Sequence, residues 1–325
     1  MKAASSSYRV QYDLRPAKQV ERRMFIDALQ RLSAAGFPIH DYEYTGFGAI
    51  YFVDFILFHK LLGFRYMTSI EAQKELESRV LFNKPFEFVT VTMETVSAVI
   101  PSLSRDRRHV LWLDYDGALS ADKIGDISTA MTYLSPGSIV LITVDVEPPP
   151  ISSAALKAAR NSLPAAWRKY FEREAFQFVG PQFKDEDFTK SRIPRTNTRI
   201  LDSVIRSGLV GRADVGFAPL FHFLYKDGSN LMLTLGGMIA TPDDLRKIKG
   251  STLSEGEAKY VRRDFKMSPY RIVVPKLTRK ERIYMEAAMP CANGWRPAEF
   301  DIEDEIVSQY RDIYRFFPAY AEILL

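Results

Sequence analysis

The stretch Asp41-Tyr-Glu-Tyr-Thr-Gly-Phe-Gly-Ala-Ile-Tyr-Phe-Val-Asp-Phe55 places two glycines between an aromatic segment and an apolar helical pattern. It predicts a strand that ends at Tyr44, a turn through Gly46 and Gly48, and an amphipathic helix. Glycine is needed where a side chain would block the close approach of backbone to a ligand, and a helix N-terminus attracts anionic groups. The stretch therefore predicts a binding turn of the kind that nucleotide sites use.

A second strand is predicted at residues 64–70, and it ends at Glu71, about 25 residues after Gly46. In Rossmann-like sites, an acidic residue at the end of the second strand, roughly 20 residues past the glycines, holds the ribose hydroxyls. Glu71 is therefore the predicted ribose ligand.

The apolar run Val110-Leu-Trp-Leu113 predicts a central parallel strand that is covered on both faces. It is followed by Asp114-Tyr-Asp-Gly117, and ligands of open α/β sheets bind outside the carboxyl ends of the strands. Asp114 and Asp116 are therefore predicted at the reaction centre, where either carboxylate could act as a general base. The alternative is that Asp116 starts a turn and Asp114 caps the next helix.

These motifs resemble, in order and spacing, those of the class I S-adenosylmethionine-dependent methyltransferases. The matching segments are Gly46-Phe-Gly48, Ile70-Glu71, Val110 to Gly117, and Ser135 to Thr143. More narrowly, the chain is similar to a group of bacterial proteins described as "putative O-methyltransferases", whose Arg-Pro-Ala-Lys-x-x-Glu-Arg opening resembles residues 15–22.

The resemblance implies methyl transfer from S-adenosyl-L-methionine, with no metal. It places Tyr44, Gly46, Gly48, Glu71, Glu94 and Asp114 at the cofactor, and Asp114 and Asp116 at the reacting methyl group. Glu94 would flank the adenine, and the alternative is an exposed loop glutamate. The chain departs from the family pattern in two places, because Tyr44 occupies a usually acidic position, with Glu43 one place early, and Ile50 replaces the third glycine.

The implied fold is α/β, a Rossmann-like and mostly parallel sheet with helices on both faces. Two β-rich runs joined by Lys226-Asp-Gly-Ser229 predict an antiparallel hairpin at its edge. Residues 8–245 are predicted to form the methyltransferase domain, and residues 246–325 a mostly helical C-terminal extension. Residues 151–213 are too long for a standard crossover, so they predict either a lid over the site or a packing appendage.

The composition excludes several classes of protein. The chain has 325 residues, 44 basic and 40 acidic, and this excess is too small to indicate nucleic acid by itself. The single cysteine, Cys291, rules out an internal disulfide framework and a cysteine-rich metal site. The N-terminus lacks the apolar core of a signal peptide, and no apolar run is long enough to span a membrane. A cytoplasmic protein is therefore expected.

A helix is predicted from Pro16 to Ala35, and Gly36 is expected to end it. Its first turns carry a dense group of charges, Arg15, Lys18, Glu21, Arg22 and Arg23. One interpretation is a solvated helix face. The other is a basic rim beside the cofactor cleft, which would meet an anionic substrate or the cofactor carboxylate.

Three functions are consistent with these residues. The first is methyl transfer to an oxygen of an unidentified acceptor, since the 114–117 tetrad lacks the Asp/Asn-Pro-Pro-aromatic signature of enzymes that methylate nucleobase amines. The second is a catalytically inactive subunit that binds a cofactor or nucleotide, which the atypical glycine turn favours. The third is a nucleic-acid methyltransferase, for which the basic 151–213 segment is the support. The sequence does not determine the oligomeric state.

Overall fold

The protein is built around one eight-stranded sheet, and the computed structural model describes residues 15–253 and 258–318. The strands are β1 (Glu43–Gly46), β2 (Tyr66–Ile70), β3 (Val89–Thr92), β4 (His109–Ala118), β5 (Ile139–Asp145), β6 (Gly216–Asp227), β7 (Asn230–Ala240) and β8 (Tyr270–Ile272). Their order is β3-β2-β1-β4-β5-β7-β6-β8. Strand β7 is antiparallel to both neighbours, and every other pairing is parallel. The predicted fold class, a mostly parallel Rossmann-like sheet with one antiparallel hairpin, is confirmed.

Helices cover both faces of this sheet. They are α1 (Pro16–Ala34), α2 (Val53–Leu62), α3 (Glu77–Phe82), α4 (Val96–Val99), α5 (Ala121–Tyr133), α6 (Ser153–Ala158), α7 (Leu163–Glu174), α8 (Ile193–Gly208), α9 (Pro242–Lys249), α10 (Arg279–Ala287) and α11 (Asp304–Ile313). In β4, Val110 and Trp112 enter the core under α1 and α2, whereas Leu111 and Leu113 enter the core under α5 and α8. This alternation places apolar side chains on both faces, as expected for a buried central strand.

Strand β4 runs further than the sequence predicts. It continues through the 114–117 tetrad to Ala118, which lies opposite Asp145 of β5, with an irregular register after Asp114. Helix α5 has Ser120 as its N-cap residue. The alternative in which Asp116 starts a turn and Asp114 caps the helix is therefore wrong, because β5 is long enough to keep pairing with this segment.

The segment 151–213 contains α6, α7 and α8. Helix α8 packs against α5 and the β6–β7 pair, and its buried residues belong to the core on that face of the sheet. Several arginines of the segment pair with its own carboxylates, as Arg168 does with Glu172, Arg199 with Asp187, and Arg206 with Asp202. The lid role of the whole segment stays a prediction.

The chain after residue 245 returns to the same sheet. Strand β8 pairs in parallel with β6, and Tyr260 and Ile313 are buried in the core that contains α1. A smaller core around Met285 and Tyr310 joins α10 to α11, and the Tyr310 ring contacts Phe317. The domain division at residue 246 stays a prediction, and the sheet itself crosses it.

Across residues 15–253 and 258–318, none of the helices combines the length and the apolar character that crossing a bilayer requires.

Candidate functional site

A cavity of about 230 Å³ lies beyond the carboxyl ends of the first four strands. Its wall is formed by α1, by residues 47–54, by the segment that follows β2, by residues 94–96, and by the end of β4. This is the edge at which open α/β sheets bind their ligands. Of the predicted site residues, the cavity is lined by Gly48, Glu71, Glu94, Asp114 and Asp116.

Glu71 follows β2 directly and is largely buried in the cavity wall. Its Oε1 accepts a hydrogen bond from the backbone N–H of Gln73 at 2.9 Å. Burial raises the pKa of Glu71, and the hydrogen bonds from Gln73 and Ala72 oppose that rise. The backbone thus orients one carboxylate oxygen, and the other can accept hydrogen bonds from a ligand.

Asp114 of β4 also lines the cavity, and it forms an ion pair with Lys18 of α1. The Lys18 Nζ donates to Asp114 Oδ1 at 2.7 Å, and the Lys18 side chain is 1% exposed. The same ammonium lies 2.8 Å from Glu21 Oε2 and donates to the Tyr225 hydroxyl at 3.1 Å. Burial alone would lower the pKa of Lys18, but the carboxylates of Asp114 and Glu21 outweigh it and raise the pKa.

The charged opening of α1 is therefore not a solvated face, and that interpretation is wrong. Lys18, Glu21 and Arg22 are all at most 2% exposed, because each faces a polar partner inside the fold. Burial raises the pKa of Glu21, which Lys18 counteracts. Glu21 accepts hydrogen bonds from the hydroxyls of Tyr225 and Thr234. Of these charged residues, Arg22 lines the cavity, and the second interpretation, a basic rim for an anionic substrate or the cofactor carboxylate, stays a prediction.

A second buried ion pair contributes to the same wall. The Nε of Arg22 contacts the Oδ1 of Asp54, in the first turn of α2, and both side chains line the cavity. Burial would lower the pKa of Arg22, and the Asp54 carboxylate outweighs that effect and raises it. The pair therefore keeps its charges next to the cavity.

Asp116 and Glu94 form the exposed rim of the cavity. The rings of Tyr115 and Phe47 also line the cavity and pack against each other. The Tyr115 hydroxyl donates to Asp126 Oδ2 at 2.8 Å. Burial is the main reason why the pKa of Tyr115 is raised. The rim therefore combines accessible carboxylates with two aromatic rings.

Lys123 of α5 forms hydrogen bonds with the end of β4, next to this rim. Its Nζ donates to the carbonyl oxygens of Gly117 and Ala118, both at 2.7 Å. Burial lowers the pKa of Lys123 to about 8, although Asp116 and Asp145 oppose the change. The two hydrogen bonds hold the strand end that carries Asp116.

Tyr44 and Gly46 do not reach the cavity, which corrects their predicted role at the cofactor. The Tyr44 ring is fully buried and packs edge-on against Phe55 and Phe58 of α2. A Cβ on Gly46 would lie 2.6 Å from the Tyr44 hydroxyl, so the glycine makes room for this ring. Strand β1 directs the Tyr44 side chain into the core between the sheet and α2, away from the cavity.

Gly48 lines the cavity, but its backbone N–H donates a hydrogen bond within the protein. It donates to Ser69 Oγ at 3.1 Å, and a Cβ on Gly48 would lie 2.5 Å from that oxygen and 2.7 Å from the Phe52 ring. The left-handed backbone of the turn occurs at Ala49 and Phe52, with φ of 46° and 49°, and at neither predicted glycine. Packing within the protein therefore requires the glycine, and its contact with the cofactor stays a prediction.

The sequence missed several members of this site. Phe47, Asp54 and Tyr115 were not singled out, and Lys18 and Arg22 were assigned only to a charged group. The similarity of residues 15–22 to the opening of a known family was the signal that could have identified the last two.

The chain matches a family model described as "Putative O-methyltransferase" over residues 10–325. None of the curated proteins compared with the chain matches it.

Among solved structures, the chain is similar to three proteins of low identity. The first is described as a putative O-methyltransferase from Klebsiella pneumoniae, with 10% identity over 73% of this chain and 87% of that chain and a TM-score of 0.41. The second is the N-methyltransferase NodS from Bradyrhizobium japonicum WM9 in complex with S-adenosyl-L-homocysteine, with 11% identity over 74% and 94% and a TM-score of 0.38. The third is Trm1 from Pyrococcus horikoshii with S-adenosyl-L-methionine, with 13% identity over 70% and 58% and a TM-score of 0.40. At this level of similarity, none of them assigns a role to a residue of this chain.

Proposed function

The chain belongs to the family of S-adenosylmethionine-dependent methyltransferases described as "Putative O-methyltransferase", and we propose that it binds this cofactor in the acidic cavity and methylates an oxygen of its acceptor. The observation that carries the proposal is the position of Glu71. It is a largely buried carboxylate at the end of β2, with one oxygen held by backbone, in the wall of a cavity at the carboxyl edge of the sheet.

The charge of the cavity supports a cationic ligand. Among the described residues, its wall contains one basic side chain, that of Arg22, which is paired with Asp54. The carboxyl groups are more numerous, namely those of Asp54, Glu71, Glu94, Asp114 and Asp116. S-adenosylmethionine carries a positive sulfonium and a positive ammonium, which suit this lining. The Phe47 and Tyr115 rings add aromatic surface, which also attracts cations.

Each residue has a role that follows from its position. Glu71 would accept hydrogen bonds from the ribose hydroxyls, and Glu94 would flank the adenine at the rim. Asp114, held by Lys18, would face the positively charged end of the cofactor. The cofactor supplies an electrophilic methyl group, so the protein has chiefly to align the acceptor and to exclude water.

An oxygen acceptor also has to lose a proton. Asp116 is the carboxylate on the exposed rim, next to the end of β4, and it can meet an acceptor that enters from solvent. A side chain within hydrogen-bond reach of the hydroxyl can take that proton as a general base. Asp116 is thus the base of the proposed reaction, with Asp114 deeper in the cavity.

Isothermal titration calorimetry with S-adenosylmethionine tests the proposal. The wild-type chain should bind, and Glu71→Ala should weaken binding by about 1.5–3 kcal/mol, the scale of a charge-assisted hydrogen bond. Glu75→Ala is the matched control, since Glu75 is an exposed neighbour that does not line the cavity. A wild-type chain that does not bind would overturn the proposed function. Equal affinities of the wild type and Glu71→Ala would overturn the ribose assignment alone.

The nucleic-acid alternative gains no support from the 151–213 segment. Arginines of that segment, the feature that favoured it, are engaged by nearby carboxylates, such as Arg168 by Asp185 and Arg192 by Glu186. An acidic cavity would also repel a phosphate backbone. The inactive-subunit alternative predicts cofactor binding without turnover. Product formation from labelled cofactor, measured over a panel of hydroxyl acceptors, separates it from the proposed enzyme.

A further inference from the structure

Lys18 is the most completely buried cation beside the cavity, and it does not line the cavity itself. Its ammonium makes close contacts with Asp114, Glu21 and Tyr225, and it lies 4.3 Å from the centre of the Trp112 ring. Only Asp114 among these partners lines the cavity. Lys18 therefore connects one cavity residue to groups in the interior.

The groups behind Lys18 form a closed loop of contacts. Glu21 accepts from Thr234, Thr234 Oγ1 lies 2.9 Å from Thr143 Oγ1, and Thr143 accepts from the indole N–H of Trp112 at 3.0 Å. Trp112 in turn lies under the ammonium of Lys18. The loop joins α1 to β4, β5 and β7, and the Nζ of Lys18 itself contacts Asp114 and Trp112 of β4 and Tyr225 of β6.

We propose that Lys18 is a positioning residue that holds the Asp114 carboxylate in the cavity wall for the positively charged part of the ligand. The proposal rests on the proposed function. Lys18 engages Oδ1 of Asp114, so the second oxygen of that carboxylate is oriented by the pair and can serve the ligand. Without the ammonium, the Asp114 side chain would be free to rotate and would lack a counter-charge on its buried side.

The pair also explains why the α1 opening is part of the site although most of it lies outside the cavity. Residues 15–22 supply the counter-charge, Glu21 anchors it, and Arg22 reaches the wall. Arg15, the N-cap residue of the same helix, pairs with Asp227 at 2.9 Å and does not line the cavity. This chain therefore offers a control at the start of the same helix.

The test is a double-mutant cycle on the affinity for S-adenosylmethionine, measured by calorimetry together with the melting temperature. The proteins are the wild type, Lys18→Met, Asp114→Asn and the double variant. If Lys18 acts through Asp114, each single change should weaken binding about 10-fold or more, and the double variant should be within about 2-fold of Asp114→Asn. Arg15→Gln should lower the melting temperature and leave the affinity within about 2-fold.

Lys18→Met leaves the buried Glu21 and the partly buried Asp114 without their cation, so its folding is at risk. The variant Lys18→Met with Glu21→Gln removes one of those charges and should show the same loss of affinity as Lys18→Met. A merely structural Lys18 would lower the melting temperature while the folded protein binds normally.

Three results would overturn the proposal. The first is a normal affinity of Lys18→Met, or of Lys18→Met with Glu21→Gln. The second is a double variant in which the two losses of affinity multiply. The third is a loss of affinity in Arg15→Gln equal to that in Lys18→Met. If the wild type binds and only Asp114→Asn has a lower affinity, the positioning role of Lys18 is refuted and the proposed function is not. If the wild type does not bind, both fall together.

Discussion

Arg22 of α1 and Asp54 of α2 form an ion pair in which the two side chains are only 3% and 8% exposed. The pair joins the two helices at the wall of the cavity. Removing one partner of a buried pair leaves an uncompensated charge, whereas an exposed pair contributes little to stability. The position of this pair therefore leads to a prediction about stability.

We expect Asp54→Ala to lower the free energy of unfolding by about 3–5 kcal/mol, because the Arg22 guanidinium stays buried without its carboxylate. Denaturant unfolding followed by circular dichroism measures the loss. The control is Asp243→Ala, which removes the exposed partner of Arg246 and should cost below about 1 kcal/mol. Replacing both members, as Arg22→Met with Asp54→Leu, should restore most of the stability. Similar losses in Asp54→Ala and Asp243→Ala would refute the argument.

Gly48→Ala should destabilise the fold by about 1–3 kcal/mol, because the added Cβ would meet Ser69 Oγ and the Phe52 ring. Thermal unfolding measures this effect. At Gly216 a Cβ would meet nothing within 4 Å, so Gly216→Ala should change stability by less than about 0.5 kcal/mol. A Gly48→Ala variant with normal stability and no cofactor binding would instead indicate a direct ligand contact at this position.

Cofactor affinity should depend on the protonation of Glu71. Burial raises the pKa of Glu71 above its ordinary value of 4.5, so Glu71 takes up a proton at a higher pH than an exposed glutamate does. The ionised form accepts the ribose hydrogen bonds, and affinity should therefore fall as the pH is lowered towards 4.5. Calorimetric titrations over a pH series test this, with Glu71→Gln as the control that should lose this part of the pH dependence. The same pH profile in Glu71→Gln and in the wild type would assign the dependence to another group.

His222 should make the protein less stable in acid. Burial lowers its pKa to about 4, and its Nε2 lies 3.2 Å from Thr198 Oγ1. The unfolded chain binds the proton near pH 6.5, so the stabilisation is complete above that pH and is lost as the pH falls towards 4, by at most about 3 kcal/mol. Unfolding free energies at several pH values measure the slope. His222→Gln should flatten it relative to the wild type, and an unchanged slope would be evidence against His222 as the group responsible.

The sequence by itself determined the elements and their order, because these depend on local patterns. The apolar run of 110–113 and the Asp-Gly connection after Lys226 both predict strands that the fold contains. It also placed Glu71 correctly at the end of β2. An acidic residue that follows a strand must lie at the carboxyl edge of a parallel sheet, so this position requires no knowledge of distant contacts.

Only the tertiary structure decided which charges are buried. The partners of the α1 charges are distant in sequence, since Asp54 lies 32 residues from Arg22 and Asp114 lies 96 residues from Lys18. A run of charges on a helix predicts a solvated face unless such partners are known. The fold likewise decided that Tyr44 packs in the core and that β4 extends past Asp114, since the neighbours α2 and β5 determine both. A buried charge is tolerated only where the completed fold supplies its counter-charge. These counter-charges come from residues distant in the chain, so local sequence patterns cannot predict which charges are buried.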